Sequence, residues 1–214
     1  MDELDILKKD WQKREIEHPK LSYNDIYKMI WKKSSSIVKW IFIISILEFV
    51  LPNLLYLLPS TRERMSIYYT NDSSTFFIVL SGIQYLVIFY FIFQFYKRYK
   101  EISVLDDART LMKNIIKTRR TVKHYVIFSL SMILLTMSLF AASFYFDPNM
   151  LTAVYPNEIP EGLTEEKLRT IMAISFIVVA LLTTALLALI YFLLYGLLLK
   201  KLNRNYHELK KMEI

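Results

Sequence analysis

The sequence predicts an all-α integral membrane protein, an antiparallel four-transmembrane-helix bundle with cytoplasmic helical extensions. Three observations carry this expectation. Hydrophobic residues make up 54% of the 214-residue chain while 22% are charged, so the two populations must be segregated along it. Four apolar runs, 37–58, 75–96, 122–146 and 170–199, are each long enough to cross a hydrocarbon layer of about 30 Å, which takes about 20 residues of helix. The basic residues alternate in density between these runs: 23 of the 27 Lys and Arg lie in residues 1–39, 97–123 and 200–214, and only Arg62, Arg64, Lys167 and Arg169 lie elsewhere. Positive-inside bias then places both termini and the 97–121 loop in the cytoplasm. The opening "MDELDILKKDWQKRE" is acidic at its start and the first apolar run begins only near residue 37, so that run is expected to be an uncleaved anchor.

Residues 1–36 read as a cytoplasmic amphipathic tail of two short helices. In the first, Leu4, Leu7 and Trp11 recur at three- and four-residue spacing, and Pro19 ends the pattern. The second starts at Ser22 with Asp25 as a box-like partner, and Leu21 is placed to staple onto Ile26. Its face of Tyr23, Tyr27, Ile30 and Trp31 runs toward the membrane, where Trp31 and Trp40 suit headgroup depth and Lys32, Lys33 and Lys39 suit anionic lipid. The first helix has nearly balanced charge, a poor pattern for a lipid surface and an ordinary one for docking a partner.

Between the second and third runs, the 97–121 loop carries Ile102, Leu105, Leu111, Ile115 and Ile116 at roughly helical spacing, with Asp106 and Asp107 as cap candidates before "ARTLMKNIIK". These features predict a cytoplasmic helical hairpin. Its basic charge needs no nucleic acid to explain it, because positive-inside bias accounts for the same residues; no nucleic-acid partner is expected. Pro148, Pro156, Pro160 and Gly162 make 147–163 an irregular outer segment until Thr164 caps the fourth helix, with Glu165 and Glu166 in its first turn. Residues 200–214 are expected to continue that helix as a cytoplasmic extension.

The absence of cysteine excludes disulfides and thiolate metal sites. His18, His124 and His207 are scattered, and a membrane haem would want a His pair deep in facing spans. The chain has no H-E-x-x-H, G-x-S-x-G, Walker or Rossmann pattern, and its three glycines leave little for a phosphate cradle. No catalytic residue, cofactor or metal is assigned, and the chain reads as non-enzymatic.

One charge interrupts the first run. Glu48 lies close to its midpoint, and Pro52, four residues on, has no N–H to give the Glu48 carbonyl. At the midpoints of the other runs stand Ser81 and Gln84, Ser131 and Thr136, and Thr183 and Thr184, which suggests one polar layer across the bundle. No Lys, Arg or His lies deep in any run, so Glu48 is expected to be protonated and hydrogen-bonded, for instance to Gln84. Two readings stay open: an interhelical hydrogen bond that sets packing register, and a proton- or cation-handling site.

The tail "MDELDILKKDWQK" and the entry "YKMIWKKSSSIVKWIFIISILEF" into the first run resemble a group of small four-span bacterial inner-membrane proteins of uncharacterised role, some encoded beside extracytoplasmic-function sigma factors. That resemblance implies a bacterial inner-membrane location and an anti-sigma-like regulatory role, with Leu4, Leu7 and Trp11 holding a cytosolic protein at the bilayer. A carotenoid-cleaving label attached to some of the group does not fit, since that chemistry implies a β-propeller with four iron-binding histidines. The expected function is therefore regulatory or scaffolding and non-enzymatic, with a small proton- or cation-coupled transporter or channel subunit as the alternative. The topology is directly testable. Reporter fusions after residue 65 and after residue 155 should both read as external, and a cytoplasmic signal from either would overturn the arrangement.

Overall fold

The computed structural model describes residues 22–55, 57–59, 74–103, 107–146 and 163–212. Leu4, Leu7 and Trp11 lie outside them. The described residues form helices and no strand: α1 (Tyr23–Leu55), α2 (Ser74–Ser103), α3 (Ala108–Phe146), and a fourth rod made of α4 (Glu165–Tyr191), a π turn (Phe192–Gly196) and α5 (Leu197–Met212). All four rods are long and apolar enough to cross a membrane. Only 6% of the most apolar window of α2, and the same share in the fourth rod, is buried inside the protein, so most of these apolar side chains face outward.

The helix ends have local causes. Ser22 opens α1, its carbonyl accepting from the Asp25 and Ile26 N–H groups at 3.0 and 3.1 Å while its own N–H donates to Asp25 Oδ2 at 3.3 Å. Thr164 is the N-cap of α4, its hydroxyl accepting from the Lys167 N–H, with Glu165 and Glu166 complementing the positive helix end. Asp107 precedes α3, and its carbonyl accepts the Leu111 N–H at 3.1 Å. A hydrogen bond from Thr110 holds the Asp107 carboxyl below the ordinary carboxylate range.

One expectation is corrected. A tail helix ending near residue 36, distinct from the first span, is replaced by one helix of 33 residues. The physical reason is that nothing between Tyr23 and Leu51 breaks a helix: there is no Gly or Pro until Pro52, and Ser34, the middle of the polar entry, is fully buried. Trp31 accordingly turns inward, its Nε1–H donating to the Ile102 carbonyl at 2.9 Å, where the end of α2 leaves carbonyls without helical donors. Trp40 stays 55% exposed.

Burial is uneven along the bundle. At the end rich in Lys and Arg, hereafter the basic end, Ile30, Ile37, Val38 and Ile41 of α1 join Phe95 and Ile102 of α2, Leu111, Ile115 and Val122 of α3, and Leu202 and Leu209 of α5 in one core. Buried polar groups there are paired: Asn205 Nδ2–H donates to Ser34 Oγ at 2.9 Å, and Thr118 donates to the Asn114 carbonyl at 2.9 Å. Toward the opposite end the buried apolar set shrinks to Met132, Ala141, Phe144, Leu168 and Ala180. The packing order explains this. Neighbours in sequence pack side by side, α1 on α2, α2 on α3 and α3 on α4, whereas α1 meets the fourth rod chiefly through α5. The helices thus form a ring closed at the basic end and open between α1 and α4 at the other.

This distribution predicts where substitutions are felt. Ile115→Ala, at a fully buried site, should cost about 2–5 kcal/mol, read as a lower Tm of the protein in mild detergent. Ile127→Ala on the same helix, at a position 63% exposed, should leave the Tm near wild type. Equal losses at the two positions would contradict the asymmetric core.

Candidate functional site

The contact that closes the ring within the apolar runs is made by Glu48. Its Oε2 accepts hydrogen bonds from the Tyr125 hydroxyl of α3 at 2.5 Å and from the Tyr195 hydroxyl in the π turn at 3.1 Å. Its Oε1 is buried and has no partner among the described residues. Both phenols are almost wholly enclosed, at 4% and 1% exposure, so a dry environment surrounds the donors. The arrangement accommodates the neutral acid with its proton on Oε1, or the carboxylate with both phenols donating to one oxygen.

Tyr125 is the hub. Phe91 and Phe95 of α2 meet its ring edge-to-face with centroids 5.4 Å away, and Tyr195 meets it edge-to-face at 6.0 Å. Tyr191 packs on both tyrosines at 6.3 and 5.9 Å. One side chain on α3 therefore touches α2 and the fourth rod with its ring and α1 with its hydroxyl.

Backbone irregularities flank this contact on both sides. Pro52 removes the donor due to the Glu48 carbonyl. One residue further, Asn53 Nδ2–H donates to the Phe49 carbonyl at 2.6 Å while Asn53 Oδ1 accepts from Tyr85 at 2.9 Å, which ties the Pro52 turn to α2. Opposite it, Tyr195 sits inside the only π turn among the described residues. Here the rod changes from packing on α3 through α4 to packing on both α1 and α3 through α5, and the wide turn resets which face points inward. Gly196 closes that turn, where a Cβ would stand 3.3 Å from Phe192 Cδ2.

The single polar layer expected from the sequence is not what the structure assembles. Gln84 is half-buried and does not bond Glu48; its neighbour Tyr85 makes the cross-helix bond instead. Ser131 is exposed and Thr183 half-buried. Thr136 and Thr184 have buried hydroxyls without a partner among the described residues. The register that sets Tyr125 against Tyr195 and Phe144 against Phe176 brings these two threonines level on adjoining helices. Glu48 belongs to a separate level nearer the basic end, because Tyr125 and Tyr195 lie only two and five residues from Lys123 and Lys200. A helical side chain leans toward its own N-terminus, which carries the Glu48 carboxyl the same way.

Sequence reasoning passed over Tyr125 and Tyr195 because a tyrosine at the edge of an apolar run reads as a headgroup anchor. The available signal was the bookkeeping of Glu48 itself, a buried acceptor that needs donors where no cation is present. The geometry makes a specific prediction. Tyr125→Phe and Tyr195→Phe should each lower stability by about 0.5–1 kcal/mol, and the double variant should lose more than either, since it leaves Glu48 without any donor. Glu48→Gln, which still accepts both phenols, should sit closer to wild type than Glu48→Leu. Thermal unfolding of the five variants in one detergent checks the order, and a silent double variant would remove the site's structural role.

No curated protein and no solved structure matches the chain, so the comparisons add no relative with a named activity. A family match does span nearly all of it, from Asn24 to Ile214, and leaves the tail bearing Leu4, Leu7 and Trp11 outside. The chain belongs to the family described as Domain of unknown function (DUF8845).

Proposed function

We propose that this protein is a non-enzymatic regulatory or scaffolding protein of the bacterial inner membrane, with both termini and its basic end in the cytoplasm, that holds a cytosolic partner at the bilayer. The observation that supports it is the concentration of the core at the basic end. A protein whose only task lay within lipid would have little reason to pack Ile102, Leu111, Ile115, Leu202 and Leu209 beyond the apolar runs. Those residues make the four rods a rigid platform outside the membrane, and a docking surface works best when it is ordered before the partner arrives. The tail bearing Leu4, Leu7 and Trp11 leads directly into α1, so a partner held by the tail would lie against that platform. An anti-sigma-like role is one form this activity could take.

A second reading, a small proton- or cation-coupled transporter or channel subunit, is favoured by a single feature: Glu48 Oε1 is buried without a partner. Against it, the other carboxyl oxygen is closed by direct contact with two tyrosines, which holds the group in place. The two readings give different results. In the docking reading, Leu7→Asp with Trp11→Asp abolishes cross-linking from the tail to a cytosolic protein while the protein still inserts, and Glu48→Gln leaves that cross-linking intact. In the transport reading, proteoliposomes loaded with a pH-sensitive dye show a proton flux that Glu48→Gln abolishes without lowering Tm. Wild-type cross-linking that recovers no cytosolic protein would remove the docking reading.

A further inference from the structure

The basic end is not uniformly basic. On α2, Arg98 is paired with Glu101 at 2.7 Å, and on α5, Arg204 is paired with Glu208 at 2.9 Å. α3 is different: from Ala108 to Phe146 it contains no Asp or Glu at all. Its inward face is taken by Leu111, Asn114, Ile115, Thr118 and Val122. The opposite face shows Lys113, Lys117, Arg120 and Lys123, all exposed, and none makes a salt bridge among the described residues. Amid these cations Ile116 is 42% exposed.

Positive-inside bias explains why the charges are on this side of the membrane, but α2 and α5 each hold one cation with an acid of their own helix, Arg98 with Glu101 and Arg204 with Glu208, whereas α3 has no acid to offer its cations. Anionic headgroups do not suffice as the partner either. α3 runs on as one helix into its apolar section, so its exposed stripe points away from the bilayer instead of lying along it. Lys113 is ten residues from Lys123, about 15 Å of helix, and a lipid surface potential fades within a Debye length of about 8 Å. Nucleic acid would use the cations but has no use for Ile116 on the same face. An acidic amphipathic helix matches both, with carboxylates for the cations and an apolar edge for Ile116.

We infer that the exposed face of α3 formed by Lys113, Ile116, Lys117, Arg120 and Lys123 is a docking surface for an acidic amphipathic helix of a cytosolic protein. This rests on the docking reading above and names the chemistry of the partner. Cations spaced three and four residues apart on one side of α3 present their charge in a line, which a second helix laid alongside can answer with Asp or Glu at the same spacing. Charge complementarity of this kind sets orientation and speeds encounter, and the apolar contact at Ile116 fixes the register.

The test uses the full-length protein in phosphatidylcholine nanodiscs and a synthetic helix whose row of Glu at three- and four-residue spacing borders a Leu edge on the same side. Lys113→Glu with Lys117→Glu and Arg120→Glu should weaken binding by about tenfold or more, because three attractions become repulsions. Lys113→Arg with Lys117→Arg and Arg120→Lys should bind near wild type, and Ile116→Ala should weaken binding several-fold without changing its salt dependence. Lys32→Glu with Lys33→Glu on α1 should have little effect. The inference is overturned if the α3 reversal leaves binding unchanged, if the α1 reversal weakens it equally, if poly-uridylate binds more tightly than the peptide, or if phosphatidylglycerol vesicles displace the peptide. Loss of tail cross-linking in cells with the peptide results intact counts against the docking reading alone. Unchanged peptide binding after the α3 reversal, with tail cross-linking intact, counts against this surface alone.

Discussion

The hydrogen bonds from Tyr125 and Tyr195 to Glu48 are the constraint on which the arrangement of the four rods depends. Within hydrocarbon, helices gain nothing from burying leucine against leucine, because lipid is as apolar as they are. What holds spans together there is close packing and the need of polar groups to find partners. Glu48 has the strongest such need in α1, and Tyr125 and Tyr195 answer it from α3 and the fourth rod. Below it, toward the basic end, the second link between α1 and that rod is the Ser34–Asn205 bond. These two polar contacts, on the same two helices, bracket the section where α1 and the fourth rod run together.

The same argument accounts for the uneven core. Beyond the apolar runs, toward the basic end, burial inside the protein takes over, and Ile115, Leu202 and Leu209 are almost completely enclosed. Polar groups are met there as well, the Trp31 indole answering the Ile102 carbonyl and the Arg119 guanidinium donating to the Asn203 side-chain oxygen at 2.5 Å. Toward the opposite end, aromatic pairs such as Phe77 with Phe140 and Phe144 with Phe176, at 5.0 and 4.7 Å, keep α2, α3 and α4 adjacent. Among the described residues no comparable set ties α4 to α1, and the ring is open there.

Much of the fold was legible in the sequence and the site was only half so. The four apolar runs, Ser22 with Asp25, and Thr164 at the head of α4 could be read because each rests on a local rule of length, spacing or capping. The second tail helix and the first span are one continuous helix, in which, of three consecutive serines, only Ser34 is buried, and Asn205 satisfies it. Glu48 could be singled out, but its partners could not, since which residue meets it depends on helix stagger and on a π turn that no sequence feature announces. Depth within each run was taken as the guide, and depth placed Gln84 opposite Glu48. Side-chain lean and the offset between rods moved the contact toward Lys123 and Lys200 instead.

The π turn and Pro52 are each a break in the regular helical ladder, one on either side of the Glu48 contact. The fourth rod passes from α4 to α5 without interruption, so a tilt of α4, which is not held against α1, must be absorbed at the π turn or transmitted to α5. Absorbing it strains the Tyr195 bond to Glu48; transmitting it moves α5 against α1 and α3, past Ser34 and Asn205. The contact that fixes the bundle is thereby also where the two parts of the fourth rod are tied to α1.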